Sequence, residues 1–200
     1  MVKVKSDNCA KRVALFGGTF DPIHLGHLII AQMVIESMSL DQVIFVPSCT
    51  PPHKNTKQLF SAEDRLNMVR LAVRGNPQFL VSDVEYKRGG KSYSIDTVRY
   101  YRQILSKKTK LFFIVGGDAL HTLNTWKEID ELRKQVEFVC VNRPGYVGDE
   151  EKDEYHSVTI QGIDISSTQI RQRIVQGKRI QYLVPEAVLR YIERHHLIKG

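Results

Sequence analysis

Cysteine is scarce in this chain: three in 200 residues, at Cys9, Cys49 and Cys140, with no C-x-x-C pair among them. An odd number of widely spaced cysteines supplies neither a disulfide framework nor a zinc ribbon, which points to a reducing cytoplasm. Long apolar runs are missing too. No stretch approaches the ~20 residues of a membrane-spanning helix, and the basic N-terminus lacks the apolar core and small-residue cleavage site of a signal peptide, so neither export nor membrane insertion is expected. No G-x-G-x-x-G follows a strand-like run, which leaves an ordinary dinucleotide-binding site without support. Gly90-Lys91-Ser92 looks like the end of a P-loop, but Glu85 stands where its first glycine is required, so that loop is excluded as well. Internal repeats and low-complexity tracts are absent, and tryptophan occurs once, at Trp126.

What remains has the balance of a globular chain, 42% hydrophobic and 26% charged, which excludes disordered and fibrous classes. Residues 1–10 read as an N-terminal extension and residues 11–200 as one domain large enough for a substantial core. Basic residues outnumber acidic ones by 29 to 22, a net charge of +7, which favours anionic partners without choosing between nucleotides and nucleic acid. Lys107, Lys108 and Lys110 cluster without interleaved aromatic rings, so they read as a solvated helix end rather than a single-strand platform. Apolar runs at 13–16, 43–46, 79–84, 111–115 and 136–141 are mostly continuous and alternate with helix-like stretches, the α/β pattern of a parallel sheet covered on both faces. One helix is bracketed by Ser61, with Glu63 and Asp64 in its first turn, and by Gly75 beyond its end. Others are expected over 94–106 and 126–135, and over 167–176 and 185–195 in a small C-terminal helical lobe that starts near residue 163. Residues 47–60, centred on Pro51-Pro52, and residues 143–154 read as loops.

Chemistry concentrates where the first run ends. Residues 17–27 read GGTFDPIHLGH, in which Gly17 and Gly18 allow backbone N–H groups close to an anion and a helix starting near His24 adds its positive end. On that helix His24 and His27 would share one face, about 5–6 Å apart at Cβ, and donate together to one polyphosphate. The alternatives are a plain strand-to-helix turn, or a fragment of a metal site that would still need further ligands. Far downstream, ISSTQIR over residues 165–171 offers Ser166 or Ser167 as a helix N-cap and Arg171 as a charged fork for phosphate oxygens. A simple capped helix is its bland reading. The run 111–115 leads into Gly116-Gly117-Asp118 at the carboxyl edge of the sheet, where Asp118 either caps a helix or faces a ligand crevice. A tryptophan such as Trp126 is more often core than platform by burial alone, and its place just beyond that crevice favours stacking.

GGTFDPIHLGH with ISSTQIR resembles the H-x-G-H nucleotidyltransferase superfamily. The intervening PPHK, SYS-x-DT, GGD, Trp126 and Arg-Pro-Gly segments resemble the bacterial nicotinate mononucleotide adenylyltransferases, from about Arg12 to Leu197. The resemblance implies a Rossmann-like doubly wound parallel sheet and an enzyme of NAD biosynthesis that transfers the adenylyl group of ATP to nicotinate mononucleotide, giving deamido-NAD and pyrophosphate. It implies that Gly17, Gly18, Thr19, Phe20, His24, His27, Gly116, Asp118, Ile165, Ser166, Ser167 and Arg171 meet ATP, with His24, His27 and Arg171 catalytic. Lys54, Tyr93, Ser94, Asp118, Trp126, Lys127 and Arg143 would meet the mononucleotide, Trp126 by stacking on the pyridine ring. The family usually has threonine where this chain has Ser94, so a hydroxyl is kept. Mg2+ is expected as a companion of the ATP phosphates, not in a protein metal site. Neither nucleic acid nor membrane is an expected partner, and homo-oligomerisation is left open. Rival readings are a transferase acting on pantetheine phosphate, nicotinamide mononucleotide or a polyol phosphate, and a non-catalytic binder that uses the +7 surface.

Overall fold

The computed structural model describes residues 11–51, 60–142, 155–160 and 164–197, with residues 118 and 119 described by backbone only. Six parallel strands, β1 (Arg12–Gly18), β2 (Gln42–Pro47), β3 (Phe79–Val81), β4 (Lys110–Gly116), β5 (Glu137–Asn142) and β6 (Tyr155–Thr159), form one sheet in the order β3-β2-β1-β4-β5-β6. The helices are α1 (Leu25–Met38), α2 (Ala62–Ala72), α3 (Val84–Arg88), α4 (Ser94–Ile104), α5 (Gly117–Leu120), α6 (Ile129–Gln135), α7 (Ser167–Val175) and α8 (Glu186–Arg194). The order of strands reverses between β1 and β4. A crevice therefore opens beyond their carboxyl ends, where two sets of connections leave in opposite directions.

The continuous apolar runs have a direct cause: the central strands are covered on both sides. Ala14 and Phe16 face a cluster completed by Ala31 and Val34 of α1, Met68 of α2, Ile170 of α7 and Val188 of α8. Val13 and Leu15 face the other way, with Val84 of α3, Ile95 and Val98 of α4 and Leu132 of α6. The two C-terminal helices thus share a hydrophobic cluster with the sheet. Leu25 N–H at the start of α1 donates to the Leu183 carbonyl at 3.0 Å, tying them together again.

The structure corrects the sequence expectation at several elements. The run 79–84 is not one strand: β3 stops at Val81, the Ser82 hydroxyl accepts the Val84 N–H at 3.3 Å, and α3 begins there. Local side-chain bonds of this kind draw a chain out of the ladder. Trp126 is not helical but follows a 3₁₀ turn, Leu123–Thr125, and Glu128 at φ +54 interrupts the run so that α6 starts only at Ile129. Strand β6 was not expected, because as an edge strand it buries only Val158 fully and has no apolar run to announce it.

Candidate active site

β1 delivers the chain to Gly17 and Gly18 at the crevice. A Cβ on Gly18 would lie 2.9 Å from the Phe20 ring, so only glycine fits. Phe20 holds a left-handed φ of +49 although it is not glycine, and its ring is buried edge-on to Phe16 at 5.7 Å and to His27 at 4.9 Å. Such a conformation persists where the surroundings enforce it.

The two histidines meet, but not as neighbours on one helix face. His24 lies outside α1 as its N-cap, in extended conformation, and its buried ring stacks on that of His27 with centroids 3.6 Å apart. The His24 N–H donates to His27 Nδ1 at 3.2 Å. An Nδ1 that accepts carries no proton, so neutral His27 is the Nε2–H tautomer. Gly26 allows this packing, since a Cβ there would come 3.0 Å from the His24 ring and 3.5 Å from the Ile165 carbonyl. The first turn of α1 contains no acidic residue, which leaves its positive end uncompensated.

Helix α7 reaches the same place from far along the chain. Ser166 is its N-cap, accepting the Gln169 N–H at 3.2 Å while the Gln169 side chain accepts the Ser166 N–H. The Ser167 hydroxyl donates to the Pro22 carbonyl at 3.0 Å. Arg171 Nη1 donates to the Asp21 carbonyl at 3.0 Å and lies 3.8 Å from the Asp21 carboxylate, and Nη2 donates to Thr168 Oγ1. His24, His27, Ile165, Ser166, Ser167 and Arg171 line one cavity of about 570 Å³ that also reaches Gly116 and Gly117. Asp118 follows in α5.

A second cavity of about 420 Å³ lies on the opposite face of the sheet edge. Tyr93, Ser94, Trp126 and Lys127, four of the residues singled out in the sequence, line it together. Trp126 stands edge-on to Phe113 at 5.9 Å. Lys127 Nζ sits 4.8 Å from the Tyr93 ring centroid and 3.6 Å from the Asp96 carboxylate. The first cavity rests on Phe16, Ile114 and Val141, the second on Val46 and Phe113, and both are lined by Gly18 and Thr19. The glycine turn is where they adjoin.

Among the residues of the second cavity to which sequence reasoning gave no role are Glu85, Ser92 and Thr97. Burial pushes the Glu85 carboxyl above its ordinary range, against hydrogen bonds from Ser92 and Thr97 and the charge of Arg88, whose guanidinium stands 4.0 Å away. Ser92 and Thr97 are the two ends of the SYS-x-DT segment, but that resemblance gave them no role, and neither it nor the failed P-loop pointed to Ser92's actual partners, the N–H groups of Cys49 and Thr50 at 3.0 and 3.2 Å. Lys54 and Arg143, expected at the mononucleotide phosphate, lie outside the described residues, as do the whole of the loop 143–154 and most of 47–60. Among the described residues no group of three or more His, Cys, Asp or Glu side chains could hold a metal ion, and no helix is long and apolar enough to cross a membrane.

Parallel sheet, glycine turn, paired imidazoles and a distant arginine on one crevice define a nucleotidyltransferase, and the cytidylyltransferase-like family model matches residues 15–173. A probable nicotinate-nucleotide adenylyltransferase of Lactiplantibacillus plantarum is 47% identical, over 94% of this chain and 88% of its own. One from Thermoanaerobacter is 44% identical over 94% of each chain. The fold matches that of Plasmodium falciparum nicotinic acid mononucleotide adenylyltransferase complexed with NaAD, with a TM-score of 0.78 at 18% identity over 94% of this chain and 97% of that one. The chain belongs to the nicotinate-nucleotide adenylyltransferase family and is an adenylyl-transferring enzyme of NAD biosynthesis.

Proposed function

We propose that ATP occupies the larger cavity and nicotinate mononucleotide the smaller one, so that the acceptor phosphate and the α-phosphorus meet over Gly17, Gly18 and Thr19. The observation that carries this reading is the adjoining of two cavities on opposite faces of the sheet at the glycine turn, where Gly18 and Thr19 line both. Only there can two substrates come within bonding distance. Ile165, Ser166, Ser167 and Arg171 attend the outer phosphates, Gly116 and Asp118 lie between the nucleotides, and Trp126 stacks on the pyridine ring. Tyr93, Ser94 and Lys127 surround that ring, and Lys54 and Arg143 serve the mononucleotide phosphate.

The acceptor phosphate is largely ionised at neutral pH and needs no strong base. One of its oxygens attacks the α-phosphorus in line. The new O–P bond forms as the bond to the bridging oxygen breaks, and pyrophosphate leaves with that electron pair. The protein contributes position and electrostatics. His27 offers its Nε2–H to charge growing on the α-phosphoryl oxygens, with its tautomer held by the His24 backbone. His24 supports it through the stacked ring, and Arg171 is oriented by Asp21. Because Ser167 spends its hydroxyl proton on Pro22, its N–H at the open start of α7 is what remains for an anion. The described residues supply hydrogen-bond donors rather than a carboxylate cluster, a set that fits Mg2+ carried by the phosphates, where the ion would neutralise part of their charge. We place the enzyme in a reducing cytoplasm, where Cys49 and Cys140 stay as the free thiols seen here. The positive net charge serves nucleotides, without a nucleic-acid or membrane partner.

Pyrophosphate release measured with nicotinate mononucleotide, nicotinamide mononucleotide, pantetheine phosphate and a polyol phosphate tests the acceptor. The nicotinate form is expected to turn over fastest; no release with it, alongside release with another acceptor, would refute the assignment.

A further inference from the structure

Behind the point where the two cavities adjoin sits a charge that the mechanism has not used. Arg65, on α2, is fully buried. Its Nη1 donates to the Thr19 carbonyl at 2.6 Å and the Ser48 carbonyl at 2.7 Å, and its Nη2 donates to the Cys49 carbonyl at 3.1 Å. Among the described residues no carboxylate lies within ion-pair distance of it, and its Nε has no hydrogen-bond partner. A buried guanidinium without an acidic partner is costly to keep, and its fixed fork can bridge several acceptors at once in a way that one ammonium cannot.

The three carbonyls belong to two segments. Thr19 follows β1 and lines both cavities; Ser48 follows β2 and lines the smaller one. The second segment is also gripped from its other side, since the Ser92 hydroxyl accepts the N–H groups of Cys49 and Thr50 and the Ser92 N–H donates to the Thr50 carbonyl at 2.9 Å. Ser92 in turn bonds Glu85, which takes the Thr97 hydroxyl at 2.9 Å. Residues 48–50 are thus held between α2 and the wall of the mononucleotide pocket, while the same guanidinium holds the phosphate turn.

We infer that Arg65 is a positioning residue that sets the phosphate turn in register with the mononucleotide pocket, so that acceptor phosphate and α-phosphorus align. It touches neither substrate. Its effect belongs to the ternary complex: each substrate binds its own cavity without it, but the two are misaligned. This rests on the assignment of the two cavities to the two substrates.

The test compares Arg65→Lys and Arg65→Met with the parent enzyme. Each substrate is titrated alone by calorimetry, kcat is read from pyrophosphate release, and folding is read from circular dichroism and thermal melting. Lysine keeps the charge but loses the fork; methionine keeps the length but leaves all three carbonyls unpaired. In Arg65→Lys we expect kcat to fall at least about tenfold while the Kd of each substrate changes less than about threefold. A kcat per folded molecule within about twofold of the parent in both variants overturns the inference, as does a loss confined to the binding of one substrate. If neither variant folds, Ser92→Ala loosens residues 48–50 while leaving Arg65 in place. There a fall of about threefold or more in kcat is expected, and an unchanged kcat overturns the clamp. Trp126→Ala separates the two failures: if it leaves the KM for nicotinate mononucleotide unchanged, the cavity assignment falls, whatever Arg65 does.

Discussion

His27 depends on a bond made by another residue's backbone. Its Nδ1 accepts the His24 N–H, so the proton of the neutral ring sits on Nε2, and the residue lines the larger cavity. Replacing His27 by alanine is expected to lower kcat by two or more orders of magnitude, on the order of 3 kcal/mol of transition-state stabilisation, with little change in melting temperature. Single-turnover pyrophosphate release checks it, and a near-parental rate would remove His27 from the chemistry. Glu85 behaves in the opposite sense, as a stability residue with a sign. Burial raises its carboxyl above the ordinary value of 4.5, so folding favours the protonated form. Its contribution is fully present below that value and is lost as pH rises through the raised one. Urea unfolding from pH 4.5 upward should show the parent losing stability relative to Glu85→Gln; a pH-independent difference would contradict this. At this scale the histidine pair was legible as a motif because its spacing is local. Glu85 was not, because nothing in the residues around it says that α4 will cover it.

Elements bring the glycine turn and the start of α7 together at one cavity. Helix α7 begins at Ser166 with a reciprocal pair of bonds to Gln169. Ser166→Ala should cost about 1 kcal/mol, which lowers the melting temperature by roughly 2–4 °C in a protein of this size and raises the KM for ATP as the helix start frays. A variant with unchanged melting and kinetics would show the cap to be dispensable. At the end of β1, Gly18→Ala forces a Cβ to 2.9 Å from a ring that is itself buried against Phe16 and His27 and cannot yield. Turnover is expected to fall by more than about tenfold, measured by the same pyrophosphate assay. Both elements could be anticipated because caps and glycine turns are written in neighbouring residues. Strand β6 and the early end of β3 could not. The first is an edge with one buried side chain, and the second yields to a local hydrogen bond at Ser82 that competes with the sheet.

Across the whole molecule, the sheet keeps the two cavities apart everywhere except at the glycine turn, and the proposed reading puts one substrate in each. This separation predicts separable kinetics. Trp126→Ala should raise the KM for nicotinate mononucleotide at least about fivefold, reflecting about 1 kcal/mol of lost stacking, and leave the KM for ATP within about twofold, because the larger cavity rests on the other face of the sheet. Equal effects on both substrates would mean that the two cavities act as one.

Sequence by itself determined what depends on neighbouring residues or on composition: the covered parallel sheet, read from its apolar runs, the glycine turn, the capped start of α7, and the chemistry those residues can offer. Tertiary structure alone decided which of them meet. Residues 150 positions apart, Asp21 and Arg171, came within 3.0 Å through the reversal of strand order between β1 and β4 and the packing of α7 on the β1 face. The stacked imidazoles, the buried Glu85 and the guanidinium of Arg65 likewise depend on which surfaces cover one another. That is set by the burial of whole faces, a property no local stretch of chain carries.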